Sequence, residues 1–394
     1  MRPPHGTQTV VKSMSAFHLQ QVVLQPTSLC NLNCSYCYVP NRRDAAKMTP
    51  ETLEAVVSKT LRSSLVNDAV EFLWHAGEPL TAGLPHYELA VRLIEKYARP
   101  GLQVVKSIQT NGTLVDDAWS EFFVANKFSI GLSVDGPAYL HDASRVDWAE
   151  RPSHARVMAG YRTLARHGIR PGAICVLRRE SLRYPDEIFD FFVQNGFRSV
   201  GFNVEEVENR NLISTLTLDG PGSTVRDEYR LFAERLYELW LQDPTRIAIR
   251  EFVDLQSVIG QKLLDRAYIR HPLETQPLAI VTVQKNGDMS TFSPEFAGGQ
   301  SAEFANFVVG NINQVTEIED VLGSPIFQAV AAEVAAGIDA CSESCMWFDL
   351  CGGAYTSNKF FEHGSLRSTE TTACLLHRQT LADVVLNEMA YAPA

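Results

Sequence analysis

Short apolar runs alternate with amphipathic stretches along the first 242 residues of the chain. Six apolar runs, rich in Val, Ile, Leu and Phe, predict buried strands at 21–25, 70–75, 103–109, 129–134, 172–177 and 199–204. Six stretches with apolar positions at helical spacing predict helices at 49–63, 86–98, 116–125, 153–167, 184–195 and 223–242. Strand followed by helix, repeated six times, indicates a parallel sheet with helical crossovers, which is an α/β fold.

Most polar motifs of the chain fall at the ends of these predicted strands. Parallel α/β folds place their chemistry at the carboxyl ends of the strands. We therefore predict a partial (β/α)6 barrel of the TIM type over residues 21–242, in preference to an open doubly wound sheet. An N-terminal tail at 1–20 precedes it.

The alternation of strand and helix stops after residue 242. The sequence then predicts a helix at 250–264 and a short strand at 278–283 that runs into a hairpin-like turn at 283–288. A second short strand is predicted at 307–312. We interpret these elements as a bridging region over 243–339. A small cysteine-containing segment at 340–394 completes the chain.

Composition narrows the class of protein. The chain has 394 residues, of which 45% are hydrophobic, and this is enough for a large core. A net charge of −11 and the lack of a basic block disfavour nucleic-acid binding. No apolar stretch reaches transmembrane length, and the N-terminus has no apolar signal segment. We therefore expect a soluble, cytoplasmic protein without a membrane partner.

Three of the eight cysteines are packed into residues 30–37. Cys30, Cys34 and Cys37 have three and then two residues between them, a spacing suited to three corners of a [4Fe–4S] cube. The next cysteine, Cys175, lies in an apolar run typical of the core, so one iron would stay open for a small molecule. Zinc, disulfides and buried structural thiols are the alternatives. Zinc usually needs two ligand pairs, and disulfides need an oxidising compartment.

An aromatic residue, Tyr36, precedes the last cysteine of this run. With it, the run resembles the signature of the radical S-adenosylmethionine (SAM) enzymes. The resemblance implies a catalytic [4Fe–4S] cluster on the three thiolates, with SAM bound at the open iron. It also implies that Tyr36 belongs to the cofactor-binding site.

A second motif, Ala76-Gly77-Glu78-Pro79, follows the second predicted strand. It is similar to the Gly-Gly-Glu-Pro motif of the same family, with Ala76 in place of the first glycine. The resemblance implies that Gly77, Glu78 and Pro79 receive the methionyl amino group of SAM. Glycine permits close backbone approach to a ligand, and proline fixes the turn.

The ends of the fourth and sixth predicted strands supply the other cofactor-binding candidates. By the same resemblance, Ser133 contacts the ribose region and Arg145 pairs with the methionyl carboxylate, a strong charge-assisted contact. Asp135, in an Asp-Gly-Pro sequence, is either a site residue or a turn-forming residue. Asn203, at the end of the sixth strand, faces the cofactor or the substrate.

The second cysteine set lies near the C-terminus. Cys341, Cys345, Cys351 and Cys374 form a complete ligand set for one closed [4Fe–4S] cluster or for one tetrahedral zinc ion. Beside the N-terminal motif, this set resembles the SPASM-type extension of radical SAM peptide maturases. The turn around Gly287 has no cysteine, so the extension is reduced. The resemblance implies one auxiliary [4Fe–4S] cluster.

The stretch from Cys351 to Cys374 is similar to maturases that build three-residue cyclophanes in glycine-rich, ribosomally made precursor peptides. This implies a 5′-deoxyadenosyl radical that abstracts a side-chain Cβ hydrogen, followed by a C–C crosslink to an aromatic residue. A precursor peptide and a flavodoxin- or ferredoxin-type electron donor are the implied partners. The alternatives are thioether formation, formylglycine formation on a sulfatase, and a non-catalytic metal-binding peptide scaffold. No residue is predicted as the proton acceptor.

Overall fold

One ten-stranded sheet organises the described part of the chain, residues 17–218 and 223–391 of this computed structural model. Its strands are β1 (Gln21–Gln25), β2 (Ala69–Trp74), β3 (Gln103–Thr110), β4 (Ser129–Ser133), β5 (Gly172–Leu177), β6 (Ser199–Val204), β7 (Ala248–Ile249), β8 (Ile280–Gln284), β9 (Asp288–Thr291) and β10 (Gly310–Asn311). They lie in the order β10-β9-β8-β1-β2-β3-β4-β5-β6-β7. Most of the predicted N-terminal tail, residues 1–16, lies outside the described residues.

The strands from β8 through β1 to β7 are all paired in parallel. The predicted α/β fold is confirmed, and each of the six predicted strands lies within one residue of its observed bounds. β10 and β7 end the sheet and each pairs with a single neighbour, so the sheet remains open. Val22, Val23 and Leu24 of β1 have no exposed surface, as is typical of a parallel strand covered on both faces.

Helices follow the strands as the sequence predicts. The described α-helices are α1 (Pro50–Arg62), α2 (Leu84–Tyr97), α3 (Asp117–Asn126), α4 (Ala138–His141), α5 (His154–Arg166), α6 (Pro185–Gln194), α7 (Val225–Leu241), α8 (Arg250–Leu264), α9 (Pro325–Ser344), α10 (Phe348–Cys351), α11 (Thr356–His363), α12 (Thr372–Cys374) and α13 (Leu381–Tyr391). Thr49 caps α1 by accepting a hydrogen bond from the backbone N–H of Thr52 at 3.2 Å. Asp116 caps α3 in the same way.

The chain after α8 rejoins the sheet. β8 pairs in parallel with β1, and β9 and β10 add antiparallel strands outside it. Gly287 makes the β8–β9 turn at a φ of +90°, and a Cβ there would lie 2.4 Å from the Asn313 side chain. The predicted hairpin is confirmed. The pairing of β8 with β1 was not predicted, because it joins segments that are distant in sequence.

Two buried clusters stabilise this arrangement. The larger one lines the sheet and includes Cys175, which is fully buried in β5 as expected for a core residue. A smaller cluster under α9 is built mainly from aromatic rings: Phe292, Phe296, Phe304 and Phe307. Among the described residues, no helix is both long and apolar enough to cross a membrane.

Candidate active site

The first three cysteines line a cavity of about 200 Å³ at the carboxyl ends of β1 to β6. Backbone hydrogen bonds fix their loop from two sides. The N–H of Cys30 donates to the carbonyl oxygen of Arg42 at 3.0 Å, and the N–H of Asn33 donates to that of Val146 at 2.7 Å. The indole N–H of Trp148 donates to the carbonyl oxygen of Cys30 at 2.8 Å. The loop therefore holds the thiols at a defined place on the cavity wall.

Burial raises the pKa values of two of these cysteines, Cys30 and Cys34, and so disfavours their thiolate forms. It raises the pKa of Cys34 to about 11, and the neighbouring Cys37 adds to the shift, whereas Arg145 opposes it. Burial likewise raises the pKa of Cys30, and both other thiols of the loop contribute to the rise. Thiols that are buried this close together fit a cationic iron–sulfur group, because bonding to the metal offsets the cost of the buried thiolates.

The Gly77 segment packs against the cysteine loop. Gly77 has a φ of +57°, and a Cβ there would lie 2.6 Å from the carbonyl oxygen of Leu29. Ala76 has a φ of +69°, in the left-handed region that glycine tolerates better. Both residues line the cavity. Glycine at position 77 is therefore needed for the close approach of the two backbones.

Glu78 is fully buried, and its carboxylate accepts three hydrogen bonds from the protein. Oε1 accepts hydrogen bonds from the hydroxyl of Thr110 at 2.7 Å and the N–H of Leu80 at 3.0 Å. Oε2 accepts from the N–H of Asn111 at 2.7 Å. Burial raises the pKa of Glu78 to about 7, although the three hydrogen bonds act to lower it. Glu78 and Pro79 lie behind the cavity wall, and Ala76 and Gly77 form the wall itself.

Asp135 connects two of the predicted site residues. Its Oδ2 accepts hydrogen bonds from the hydroxyl of Tyr36 at 2.5 Å and from Nε of Arg145 at 3.0 Å. Its Oδ1 accepts from the N–H of Val176 at 3.0 Å. The Arg145 guanidinium also lies 5.3 Å from the Tyr36 ring centre. Asp135 is 3% exposed, so it acts here as more than a turn-forming residue: it orients Tyr36 and Arg145 at the cavity.

The other two predicted contact residues also line the cavity. The hydroxyl of Ser133 accepts a hydrogen bond from the Gln109 side chain at 2.9 Å. Asn203 Oδ1 accepts from Arg250 at 2.7 Å. Asn203 lies on the walls of two cavities, since it also borders a larger one of about 430 Å³.

Three glutamates that the sequence analysis did not single out lie where these two cavities meet. Glu206, Glu208 and Glu295 line both. Oε1 of Glu208 accepts hydrogen bonds from the Ser357 hydroxyl at 2.6 Å and the Asn358 amide at 2.9 Å.

These carboxylates share one buried environment. Burial, together with the neighbouring Glu295, raises the pKa of Glu206 to about 8. Burial also raises the pKa values of Glu208 and Glu295. With its pKa raised to about 8, Glu206 is mainly protonated at neutral pH. The acidic run that follows β6 was the available signal in the sequence.

Positively charged side chains border the larger cavity as well: Arg250, Arg270 and Arg378. Arg270 pairs with Asp254 at 2.6 Å, and Arg250 pairs with Glu251 at 2.5 Å. The Arg378 guanidinium lies 4.6 Å from the ring centre of Tyr355. The larger cavity therefore presents both carboxylates and guanidinium groups to a ligand.

The four C-terminal cysteines come from three helices and line one small cavity. Cys341 lies in α9, Cys345 caps it, Cys351 ends α10 and Cys374 ends α12. Gly352, at a φ of +70°, would place a Cβ 2.2 Å from the carbonyl oxygen of Arg270, so glycine is required beside Cys351. The structure thus gathers the whole second set, which fits the donor set of a closed cluster.

Arg378 separates the second cysteine set from the larger cavity, since it lines both. In the described part of the chain, no group of three or more His, Cys, Asp or Glu side chains is arranged to hold a single metal ion. In a [4Fe–4S] cube each thiolate binds a different iron, so the sulfurs surround the cube instead of meeting at one centre.

Comparison with known proteins agrees with this site. A model of the radical SAM superfamily matches residues 24–192. An uncharacterised protein of Synechocystis sp. is 37% identical over 372 residues, covering 93% of this chain and 91% of that protein. The chain belongs to the radical SAM superfamily. It is thus an enzyme of radical chemistry whose cofactors include a [4Fe–4S] cluster and SAM.

Other relatives carry named activities. The chain is 29% identical to a cysteine-type anaerobic sulfatase-maturating enzyme of Clostridium novyi, over 61% of this chain and 65% of that enzyme. It is 36% identical to a serine-type enzyme of Bacteroides thetaiotaomicron, over 43% and 42% of the two chains. The matches span only part of these relatives.

Solved structures share the fold. A structure of anSMEcpe with bound AdoMet has a TM-score of 0.74 at 22% identity, covering 95% of this chain and 98% of that one. Streptococcus suis SuiB bound to its precursor peptide SuiA has a TM-score of 0.63 at 16% identity, covering 91% and 76%. At these identities the similarity establishes the fold.

Proposed function

We propose that this protein is a peptide maturase that crosslinks a side-chain carbon to an aromatic residue of a ribosomally made peptide, forming a cyclophane. The observation that carries the proposal is the pair of cavities that meet at Asn203 and the three glutamates. One cavity is lined by the first cysteine set, and the other is separated from the second set by Arg378. A substrate in the larger cavity would lie between the two cysteine sites.

The cofactors would be held by the residues that line the smaller cavity. Cys30, Cys34 and Cys37 would bind the cluster, and Gly77 would let the backbone approach SAM closely. The Arg145 Nε is engaged by Asp135, so its terminal nitrogens remain for the methionyl carboxylate. When bound, this cluster and SAM supply a carbon radical able to remove hydrogen from an unactivated C–H bond.

Ser133 and Asn203 would orient the remainder of SAM and the substrate. Both residues lie at strand ends on the same cavity wall, and both have hydrogen-bond partners within the protein that fix their side chains. A fixed side chain positions a ligand at lower entropic cost than a mobile one.

We assign the proton acceptor to the glutamates at the junction, with Glu206 as the first candidate. Ring closure on an aromatic residue must release one proton and one electron to restore aromaticity. A carboxylate oxygen of Glu206 can take the proton, because its raised pKa of about 8 suits a base near neutral pH. A [4Fe–4S] cluster at Cys341, Cys345, Cys351 and Cys374 would supply the one-electron acceptor.

Formylglycine formation on a sulfatase is the second candidate. It is favoured by the names of the relatives from Clostridium novyi and Bacteroides thetaiotaomicron, which are sulfatase-maturating enzymes. This reaction also needs an electron acceptor and a base. The two candidates therefore use the same residues and differ in the substrate.

Mass spectrometry of a substrate separates the candidates. The protein is co-expressed with short open reading frames adjacent to its gene, and in parallel with a sulfatase peptide that carries the target cysteine. A loss of two hydrogens, with fragmentation blocked across an aromatic-containing tripeptide, supports the cyclophane. Conversion of the sulfatase cysteine to an aldehyde supports the second candidate. Mapping the two-hydrogen loss to a cysteine of the short peptide contradicts both, because it identifies a thioether.

A further inference from the structure

A lysine with no exposed charge lies beside the second cysteine set. Lys359 of α11 is 1% exposed. Its Nζ donates hydrogen bonds to the sulfur of Cys341 at 3.3 Å and to the carbonyl oxygen of Gly337 at 3.2 Å. Within the described residues, no carboxylate is paired with it. Of the two atoms that accept hydrogen bonds from Lys359 Nζ, the Cys341 sulfur is therefore the one that can carry negative charge.

Such a site is costly unless negative charge compensates it, because a buried ammonium loses its hydration. Four thiolates around a [4Fe–4S] cube leave the whole group negatively charged, and reduction adds one further negative charge. A fixed ammonium at a ligand sulfur favours the reduced, more negative form. Hydrogen bonds to the sulfurs and nearby charge are the terms through which a protein sets the potential of such clusters.

We infer that Lys359 raises the reduction potential of the cluster held by the Cys341 set, so that this cluster accepts the electron released by the peptide radical. The inference rests on the proposed function. In the step it describes, the radical intermediate is oxidised by one electron and the cluster is reduced by one, while the proton goes to a glutamate at the junction. Lys359 touches no substrate, so it is a positioning residue.

In the described part of the chain, no lysine ammonium is hydrogen-bonded to a sulfur of the first cysteine set. There the described side-chain contact to a sulfur comes from the neutral Asn111, whose amide lies 3.9 Å from Cys30. Among the neighbours of the second set, the neutral Gln379 lies 3.7 Å from the sulfur of Cys374. The direct hydrogen bond from the Lys359 ammonium to a ligand sulfur therefore distinguishes the two sites, whereas at the first site the Arg145 guanidinium acts on the Cys34 thiol through its charge.

The test is a redox titration followed by electron paramagnetic resonance. The full chain is used with its first set removed by Cys30→Ala, Cys34→Ala and Cys37→Ala, so that only the second cluster contributes. Lys359→Gln keeps a hydrogen-bond donor and removes the charge, and Lys359→Met removes both. Iron and sulfide analysis of each protein accompanies the titration. The exposed Lys96→Gln is the matched control.

We expect the reduced-to-oxidised ratio of the cluster at a fixed potential to fall about tenfold in Lys359→Gln, which is 59 mV for one electron. Lys359→Met should shift further, and Lys96→Gln should not shift. An unchanged potential with full cluster content overturns the inference. Loss of the cluster in both variants also overturns it, because Lys359 would then be purely structural. The finding of zinc in place of iron overturns it as well. A shifted potential in a protein that leaves every peptide unmodified would instead contradict the proposed function alone.

Discussion

The two cysteine sites of this protein are built in opposite ways. The first takes three sulfurs from a single loop of eight residues and lines an open cavity of about 200 Å³. The second takes four sulfurs from α9, α10, α12 and the residue after α9, and these line only a small cavity.

This difference in construction matches two different chemical requirements, SAM binding and electron transfer. A site that binds SAM must leave one iron and the adjacent space free, and a short loop at the strand ends achieves this. A site that only transfers electrons is better enclosed by the protein. Enclosure also lets a buried charge such as Lys359 act on it at short range.

The largest effect is expected from removing a thiol of the first site. Cys34→Ala should reduce SAM cleavage to the background rate, a loss on the order of 10⁶-fold, because the cofactor performs the difficult step. Cleavage is measured as 5′-deoxyadenosine released from reduced protein. Cys175→Ala is the control, since it removes a buried thiol that belongs to neither set. Equal losses in both variants would contradict the assignment of the first site.

Removing a thiol of the second site should separate the two activities. Cys351→Ala should leave SAM cleavage measurable while crosslinked peptide falls to background, since the proposed electron acceptor is lost and the first cavity is intact. The ratio of crosslinked peptide to 5′-deoxyadenosine is the measurement. Product formation at the wild-type ratio would show that the second site is not the electron acceptor.

A smaller effect is expected at the junction of the cavities. Glu206→Gln should lower crosslink formation about 10²-fold, the usual contribution of a general base, while SAM cleavage continues. The exposed Glu238→Gln is the control.

The pH dependence of the same reaction sharpens the assignment. The proposed reaction requires the basic form of Glu206, and the raised pKa of about 8 means that this form is depleted as the pH falls. Crosslinking should therefore drop below pH 8, about tenfold per pH unit. The charged groups that act on Glu206 are Glu208, Glu295, Glu362 and Arg250. A rate that is flat between pH 6 and 8 would contradict the assignment.

Glu78 should affect stability more than chemistry. Glu78→Gln replaces one acceptor oxygen by an NH2 group. At least one of the three donors that now hydrogen-bond to Glu78 therefore loses its acceptor. The expected loss is about 1–3 kcal/mol in the free energy of unfolding, measured by denaturant titration. Glu71→Gln on β2, the strand that precedes Glu78, is a partly exposed control and should stay near the wild-type value. Equal stability of both variants would contradict the role of Glu78 as a buried acceptor.

The smallest effect is expected at Ala76. Its φ of +69° costs roughly 1–2 kcal/mol for a residue with a Cβ, and glycine adds about 0.4–1 kcal/mol of chain entropy to the unfolded state. Ala76→Gly should therefore stabilise the protein by up to about 1 kcal/mol. Ala332→Gly, exposed in the middle of α9, should instead destabilise it by about the same amount. Destabilisation by both variants would show that Ala76 is not strained.

Features encoded by neighbouring residues were predictable from the sequence. The strands β1 to β6 follow from local apolar runs, and the start of α1 follows from Thr49 and Pro50. The first cysteine site was equally accessible, because its three ligands lie within one loop. The four cysteines of the second set were grouped by their positions in the sequence and by the family resemblance, and the structure brings them to one cavity.

The glutamate cluster was not predictable in this way. Glu206 and Glu208 follow β6, whereas Glu295 follows β9, and the two segments meet only because β8 pairs with β1 and positions the hairpin. Lys359 likewise acquires its role from its contact with α9. Glu78 shows a further limit. Its motif predicts a contact with SAM, which stays a prediction, but the motif gives no sign of the burial of the carboxylate or of its three hydrogen bonds within the protein.

The most direct test of this account compares the two cysteine sites by electron paramagnetic resonance of the reduced protein, with and without SAM. Two variants isolate the sites: Cys351→Ala leaves the first, and Cys34→Ala leaves the second. The account predicts that SAM changes the iron–sulfur spectrum of the protein that retains the first site and leaves the other spectrum unchanged. A SAM-dependent change in the protein that retains only the second site, or in neither protein, would contradict it.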